Sequence, residues 1–205
     1  MKFDELASKE TVAKTVAALK AHGIDAEIVE TKEAALERIK ALIPEGADIM
    51  TGSSTTLNEI GFTDHLKAKN HPWKNRKDAI MAETDPAKQM KLRKEAILAD
   101  YYLGSVHAVA ETGQILVASA SGSQLPSYAF SSPNVIWAVG IQKIVPDLDA
   151  AIKRLREYVF PLEDARMKSV DMGGSTIAKM LIIEQEPAFT GRKVHLIFIN
   201  EKLGF

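Results

Sequence analysis

The chain has 205 residues, 46% of them apolar and 26% charged, with a formal net charge of −1. That length buries a sizeable core in one large domain or two small ones, and near-neutral charge gives no global pull toward nucleic acid or an anionic membrane. The lack of cysteine excludes disulfides, thiolate catalysis, zinc–thiolate sites and iron–sulfur ligation by this chain. The start, Met1-Lys2-Phe3-Asp4-Glu5, carries acids and lacks the apolar core of a signal peptide. No apolar run approaches the ~20 residues of a membrane helix, so a cytosolic protein with no membrane association is expected.

Helix and strand patterns alternate along the chain. Val12, Val16 and Leu19 share one face of a helix predicted over about residues 5–22, closed by Gly23. Ile24, Ala26 and Ile28 alternate with Asp25 and Glu27 as in a strand. Thr31 caps a helix bearing Leu36, Ile39 and Ile43, stopped by Pro44-Glu45-Gly46. Ala47-Asp48-Ile49-Met50 is a short strand. Thr84-Asp85-Pro86 starts a helix reaching about Leu98, with proline at its first position. Around it lie Lys67, Lys69, Lys74, Arg76, Lys77, Lys88, Lys91, Arg93 and Lys94. Without an aromatic stacking platform this segment reads as a solvated face, and nucleic acid is not an expected partner.

Strand-like texture follows at 99–103 and 115–118, on either side of a turn at Glu111-Thr112-Gly113. Asn134–Gly140 is almost wholly apolar, as for a strand covered on both faces. Asp147 and Asp149 open a helix with Leu148, Ile152, Leu155 and Val159 on one side, and Val194–Ile199 is a final strand. The alternation predicts an α/β sandwich with a largely parallel sheet, function residing in loops at the strand C-termini.

Four segments carry candidate chemistry. Thr51-Gly52-Ser53-Ser54-Thr55-Thr56-Leu57-Asn58-Glu59 follows a strand and leads into a helix, an arrangement that presents backbone N–H groups to an anion. Thr56 to Glu59 also fits a capping box, with the other hydroxyls facing water. In His107–Gln114, Glu111 beside Gly113 is either a nucleophile or general base, or an exposed residue of a hairpin turn. A helical turn there would set His107 and Glu111 side by side as a proton-transfer or metal pair, although no metal is expected. The loop Ser119–Pro126 lets a ligand approach the backbone, or is simply a loop. In Gly173-Gly174-Ser175-Thr176-Ile177-Ala178-Lys179 the hydroxyls can cap a helix and Lys179 can reach an anion. The phosphate-loop and dinucleotide patterns are absent, as are G-x-S-x-G and H-E-x-x-H.

Taken together, Thr51–Gly61, Ala99-Asp100, Ala110-Glu111-Thr112-Gly113 and Gly174-Ser175-Thr176 resemble the LUD domain of lactate-utilisation proteins, specifically the stand-alone C type. The resemblance runs from about residue 10 to the end, and the chain reads as a single domain over 1–205. It departs from the family pattern at Gln114, in the loop Ser121–Pro126, and at Ile177-Ala178-Lys179. The resemblance implies a Rossmann-like three-layer α/β/α sandwich, similar to the sugar-isomerase/CoA-transferase superfamily. It also implies a role in oxidation of L-lactate to pyruvate alongside iron–sulfur partner proteins.

On this reading Thr51, Gly52, Ser53, Ser54, Thr55, Thr56 and Glu59 hold a small anionic metabolite. Glu111, with Thr112 and Gly113, approaches as the catalytic carboxylate, while Gly122, Ser123, Gln124, Ser175, Thr176 and Lys179 complete the pocket. The cofactor is left open, as is catalysis itself. Two alternatives stand beside this reading: a CoA-transferase-like or sugar-phosphate-isomerase-like enzyme, and a non-catalytic subunit or metabolite sensor. A homodimer is the expected assembly on frequency alone.

Overall fold

A computed structural model describes residues 2–205. Among the described residues, ten strands form two sheets. The central sheet has six strands in the order β1-β10-β7-β4-β2-β3, and every neighbouring pair is parallel. Its members are β1 (Asp25–Val29), β2 (Asp48–Thr51), β3 (Lys74–Asn75), β4 (Tyr101–Gly104), β7 (Asn134–Gly140) and β10 (Lys193–Ile199). The second sheet, β8-β5-β6-β9, combines β5 (Ala108–Ala110), β6 (Ile115–Ser119), β8 (Ile144–Val145) and β9 (Lys179–Ile183). The fold is a Rossmann-like α/β/α sandwich built on the parallel sheet.

Two interior strands, β7 and β10, show why their sequences lack polar alternation. On β7, Val135, Trp137 and Val139 enter one core while Ile136 and Ala138 enter another. On β10, Leu196 and Phe198 go with the first set, Ile197 and Ile199 with the second. Side chains alternate across a strand, so a strand covered on both faces must be apolar throughout. The first core includes Val12 and Leu19 from α1 (Lys9–Ala21) and Val109, Ile115 and Val117 from the second sheet. The second takes Ala35 and Ile39 from α2 (Lys32–Leu42), Leu57 from α3 (Thr55–Glu59), and Phe62 and Leu66 from α4 (Phe62–Lys67). A third core lies under the outer face of the second sheet, where Ala108, Leu116 and Ala118 meet Ala151, Leu155 and Val159.

Caps follow local chemistry. Ser8 accepts from the Thr11 N–H at 3.1 Å, Thr31 from Ala34 at 3.2 Å, and Asp85 from Ala87 and Lys88 at the head of α6 (Pro86–Glu95). Between α4 and α6 runs α5 (Arg76–Ala82). The helix predicted from Asp147 runs further than its apolar face suggests: α7 (Leu148–Arg154), a π-helical turn (Leu155–Val159) and α8 (Phe160–Ser169). Pro161 has no N–H to return to the preceding turn, and the wide turn immediately before it absorbs that break. The Gly173–Thr176 segment caps no helix. It leads into β9, whose residues pair along the whole of β6.

Candidate functional site

Parallel pairing brings the carboxyl ends of β2, β4 and β7 to one edge of the sheet. Thr51 lies beside Leu103 and Gly104 beside Trp137. The segments leaving these strands are Gly52–Thr56, Ser105–His107 and the 3₁₀ turn Ile141–Lys143. They open onto a cleft of about 660 Å³ whose lining also includes Ser119 at the end of β6, Gln124 from the loop after it, residues of α8, and Met172, Ser175, Thr176 and Ile177. This is where open α/β sheets carry their ligands.

At the cleft floor is Lys143, 3% exposed. Its Nζ meets Thr56 Oγ1 at 3.1 Å, Ser105 Oγ at 3.2 Å and the Val106 carbonyl at 3.3 Å. All three neighbours are uncharged, and among the described residues no carboxylate comes within ion-pair distance of it. Burial, reinforced by the charge of Arg154, pushes the Lys143 ammonium down to about 7, against a weak opposing pull from Glu59. Lys77 lines the same cleft, with Nζ 3.4 Å from Thr51 Oγ1, and burial lowers it as well.

His107, on the wall, accepts the Ala118 N–H at Nδ1 (3.0 Å), which places its own hydrogen on Nε2. Burial, with Lys143 and Arg154 adding like charge, pushes the imidazole down to about 3, so it stays neutral. Arg154 is itself buried, donating to the backbone carbonyls of His107 and Phe3 and lying 5.2 Å from the centre of the Tyr158 ring. It holds the chain at His107 from behind. The far wall is apolar: Leu155, Val159, Phe160, Met167, Met172 and Phe205. Within it, Arg166 grips Glu163 through two 2.7 Å hydrogen bonds, one polar pair on that side.

Of the predicted site residues, Gly52, Ser53, Ser54, Thr55, Thr56, Ser123, Gln124, Ser175 and Thr176 line the cleft. Ser54 is the N-cap of α3, accepting from the Leu57 N–H at 3.2 Å. The capping box expected over Thr56–Glu59 therefore does not form, and Glu59 instead accepts the Gly204 N–H at 2.6 Å outside the lining. Thr51 is buried at the end of β2 and touches the site through Lys77. Gly122 and Lys179 pack on each other at the loop margin, also outside the lining.

The largest correction concerns Glu111, Thr112 and Gly113. They form the turn between β5 and β6, with Gly113 at φ +99°, whereas the cleft receives the opposite end of that hairpin at His107 and Ala118. Four residues of extended strand separate His107 from Glu111 by roughly 13 Å. Being on a strand, the two are not the neighbours a helical turn would make. Glu111 Oε2 pairs with Lys14 Nζ on α1 at 2.9 Å. The carboxylate is a hairpin-to-helix tie, and the expectation that it faces the hydroxyl loop is wrong. Sequence reasoning missed Lys143, Ser105, His107's place in the wall and Lys77's departure from the solvated basic face.

The family assignment rests on residues 12–199, which match the LUD domain. The chain belongs to the LUD domain family. No curated protein matches the sequence. In fold it is similar to the crystal structure of a DUF162 family protein from Deinococcus radiodurans, with a TM-score of 0.58 at 12% identity over 96% of this chain and 100% of that one. Among the described residues, no helix of this LUD-domain chain is long and apolar enough to cross a membrane. No group of three or more His, Asp or Glu among them is placed to hold a metal ion.

Proposed function

We propose that this LUD-domain protein binds a small anionic metabolite of the hydroxy- or keto-acid class at the cleft floor, as a C-type component of lactate utilisation. One observation carries the reading: Lys143 is a buried cation surrounded by neutral oxygens, with the hydroxyls of Thr56 and Ser105 beside it. A buried charge without a partner is costly, and a carboxylate arriving from the cleft neutralises it. Lys77 and the Ser53–Thr55 hydroxyls add positive potential and donors at the same edge. The family's association with lactate utilisation names the acids to try first. The chain has no cysteine with which to ligate an iron–sulfur cluster, so a redox role in lactate oxidation needs a partner protein or a dissociable cofactor.

The test is calorimetric titration of purified protein with L-lactate, pyruvate and the uncharged lactamide, in buffers of different ionisation enthalpy. The acids bind and the amide does not. Binding takes up a proton near pH 7, because the arriving carboxylate raises the pKa of Lys143. Above that pH, affinity falls toward tenfold per pH unit as the free ammonium is lost. Equal affinity for lactate and lactamide, or no binding of either acid at millimolar concentration, refutes the reading.

A further inference from the structure

The cleft floor holds a second relation, between Ser105 and Lys143. Ser105 is the first residue after β4, half-buried and part of the lining, while Lys143 is 3% exposed. The hydroxyl stands toward the opening and the amine behind it, 3.2 Å away. From this juxtaposition we infer that Ser105 is a nucleophile and Lys143 its general base, in acyl transfer from an ester or thioester to water.

The hydrogen-bond inventory around Nζ supports the assignment. A neutral amine has two N–H donors and one lone pair, and an ammonium has three donors and none. Here there are three partners: the Val106 carbonyl, which only accepts, and the Thr56 and Ser105 hydroxyls, which both donate and accept. In the neutral state Nζ donates to Val106 O and Thr56 Oγ1 and receives the Ser105 O–H on its lone pair. Once protonated it donates to all three. The same neighbours satisfy both forms, so a proton moves from oxygen to nitrogen without rearrangement. Burial has already drawn Lys143 to about 7, where both forms are populated near neutral pH. The shielded position of Nζ argues against the alternative in which the amine itself attacks a carbonyl.

In the step, Ser105 Oγ bonds to the acyl carbon as its proton passes to Nζ. The C–O or C–S bond to the leaving group then breaks, and the leaving alkoxide or thiolate takes the proton from Nζ. Water attacks the acyl-serine with Lys143 again as base, releasing the acid and restoring the hydroxyl. No electrons are exchanged. The inference rests on the anion reading of this cleft edge, with the acidic end of an ester substrate held by Lys77 and the Ser53–Thr55 hydroxyls so that Lys143 stays free as the base, and adds the reactive bond and the substrate's size. A cleft of about 660 Å³ falls within the ~300–1,000 Å³ of sites for drug-sized ligands, well beyond the needs of a three-carbon acid. Its apolar wall, with Phe160, Met167 and Phe205, suits an apolar extension of the acyl or leaving group.

The experiment treats the whole chain with p-nitrophenyl esters of short and medium-chain acids, following nitrophenolate release and intact mass, with L-lactate titration in parallel. The expected result is a burst of one equivalent with one acyl group mapped to Ser105. Its rate rises with pH through the titration of Lys143 near 7 and then levels. Ser105→Ala abolishes burst and adduct, Ser105→Cys retains acylation, and Lys143→Met slows it by about 10²–10⁴-fold. A burst unchanged in Ser105→Ala, an acyl group on Lys143, or a folded protein that neither acylates nor turns over the esters each overturns the inference. Lactate binding without acylation overturns the dyad alone. Acylation without lactate binding overturns the anion reading alone.

Discussion

Replacing Lys143 with methionine measures the burial that defines the cleft floor. In the unfolded chain the ammonium titrates at 10.5 and in the fold at about 7. A fall of that size corresponds to a cost of charge burial on the order of 5 kcal/mol below pH 7. The sign follows from proton counting: between about pH 7 and 10.5 the unfolded chain holds the proton that the folded chain has lost, so stability rises with pH across that window. Methionine removes the charge but leaves the Val106 carbonyl and two hydroxyls without their donor, at about 1 kcal/mol each, partly offset by water entering from the cleft. The expected outcome is a variant more stable than the parent by roughly 2 kcal/mol at pH 6 and no more stable, or less, at pH 10. Urea denaturation of both proteins at pH 6, 8 and 10 provides the comparison. Parallel stability profiles for parent and variant refute the claim that Lys143 is desolvated and unpaired.

Two further substitutions probe the surroundings. Glu111→Gln removes a tie to Lys14 whose partners are 20% and 65% exposed. It shifts stability by under about 1 kcal/mol and leaves L-lactate affinity and ester turnover at parental values. A large loss of either reinstates Glu111 in the site. Gly104→Ala places a methyl group onto the hydroxyl of Tyr128, which packs edge-on to Tyr102 and Trp137. It lowers stability by about 1–3 kcal/mol and weakens acid binding by moving Ser105, read by thermal denaturation and titration.

Much of the architecture was legible from pattern. Asn134–Gly140 reads as a strand covered on both faces and Val194–Ile199 as a final strand, and the two pair with each other inside the parallel sheet. Thr31 and Asp85 cap where their side chains suggested. The hydroxyl run after β2 lines the cleft because the carboxyl ends of parallel strands gather at one edge. The second sheet was half hidden, since β5 has three residues and β9 is mostly exposed, too short or too polar-faced for a clear period.

The Glu111 error has a specific cause. A turn residue's destination depends on which end of the hairpin enters the site, and that is set by pairing to β8 and β9, far off in sequence. Lys143 went unnoticed because an isolated lysine after Gly140-Ile141-Gln142 matches no motif. The usable signal was its position, the first charged residue beyond the most apolar strand, at the end of the sheet where ligands bind.

The π-helical turn at Leu155–Val159 carries a consequence for the opposite wall. Such a turn amounts to one residue more than a regular helix would hold, and each residue of helix swings everything after it by about 100°. Phe160, Glu163, Arg166 and Met167, which line the cleft, all lie after that surplus residue and take their facing through it. A single-codon deletion there would turn all four by about 100° and bring different side chains to the cleft. The facing of the wall opposite Lys143 is thus tied to the length of one helical turn, separate in sequence from the residues of the floor.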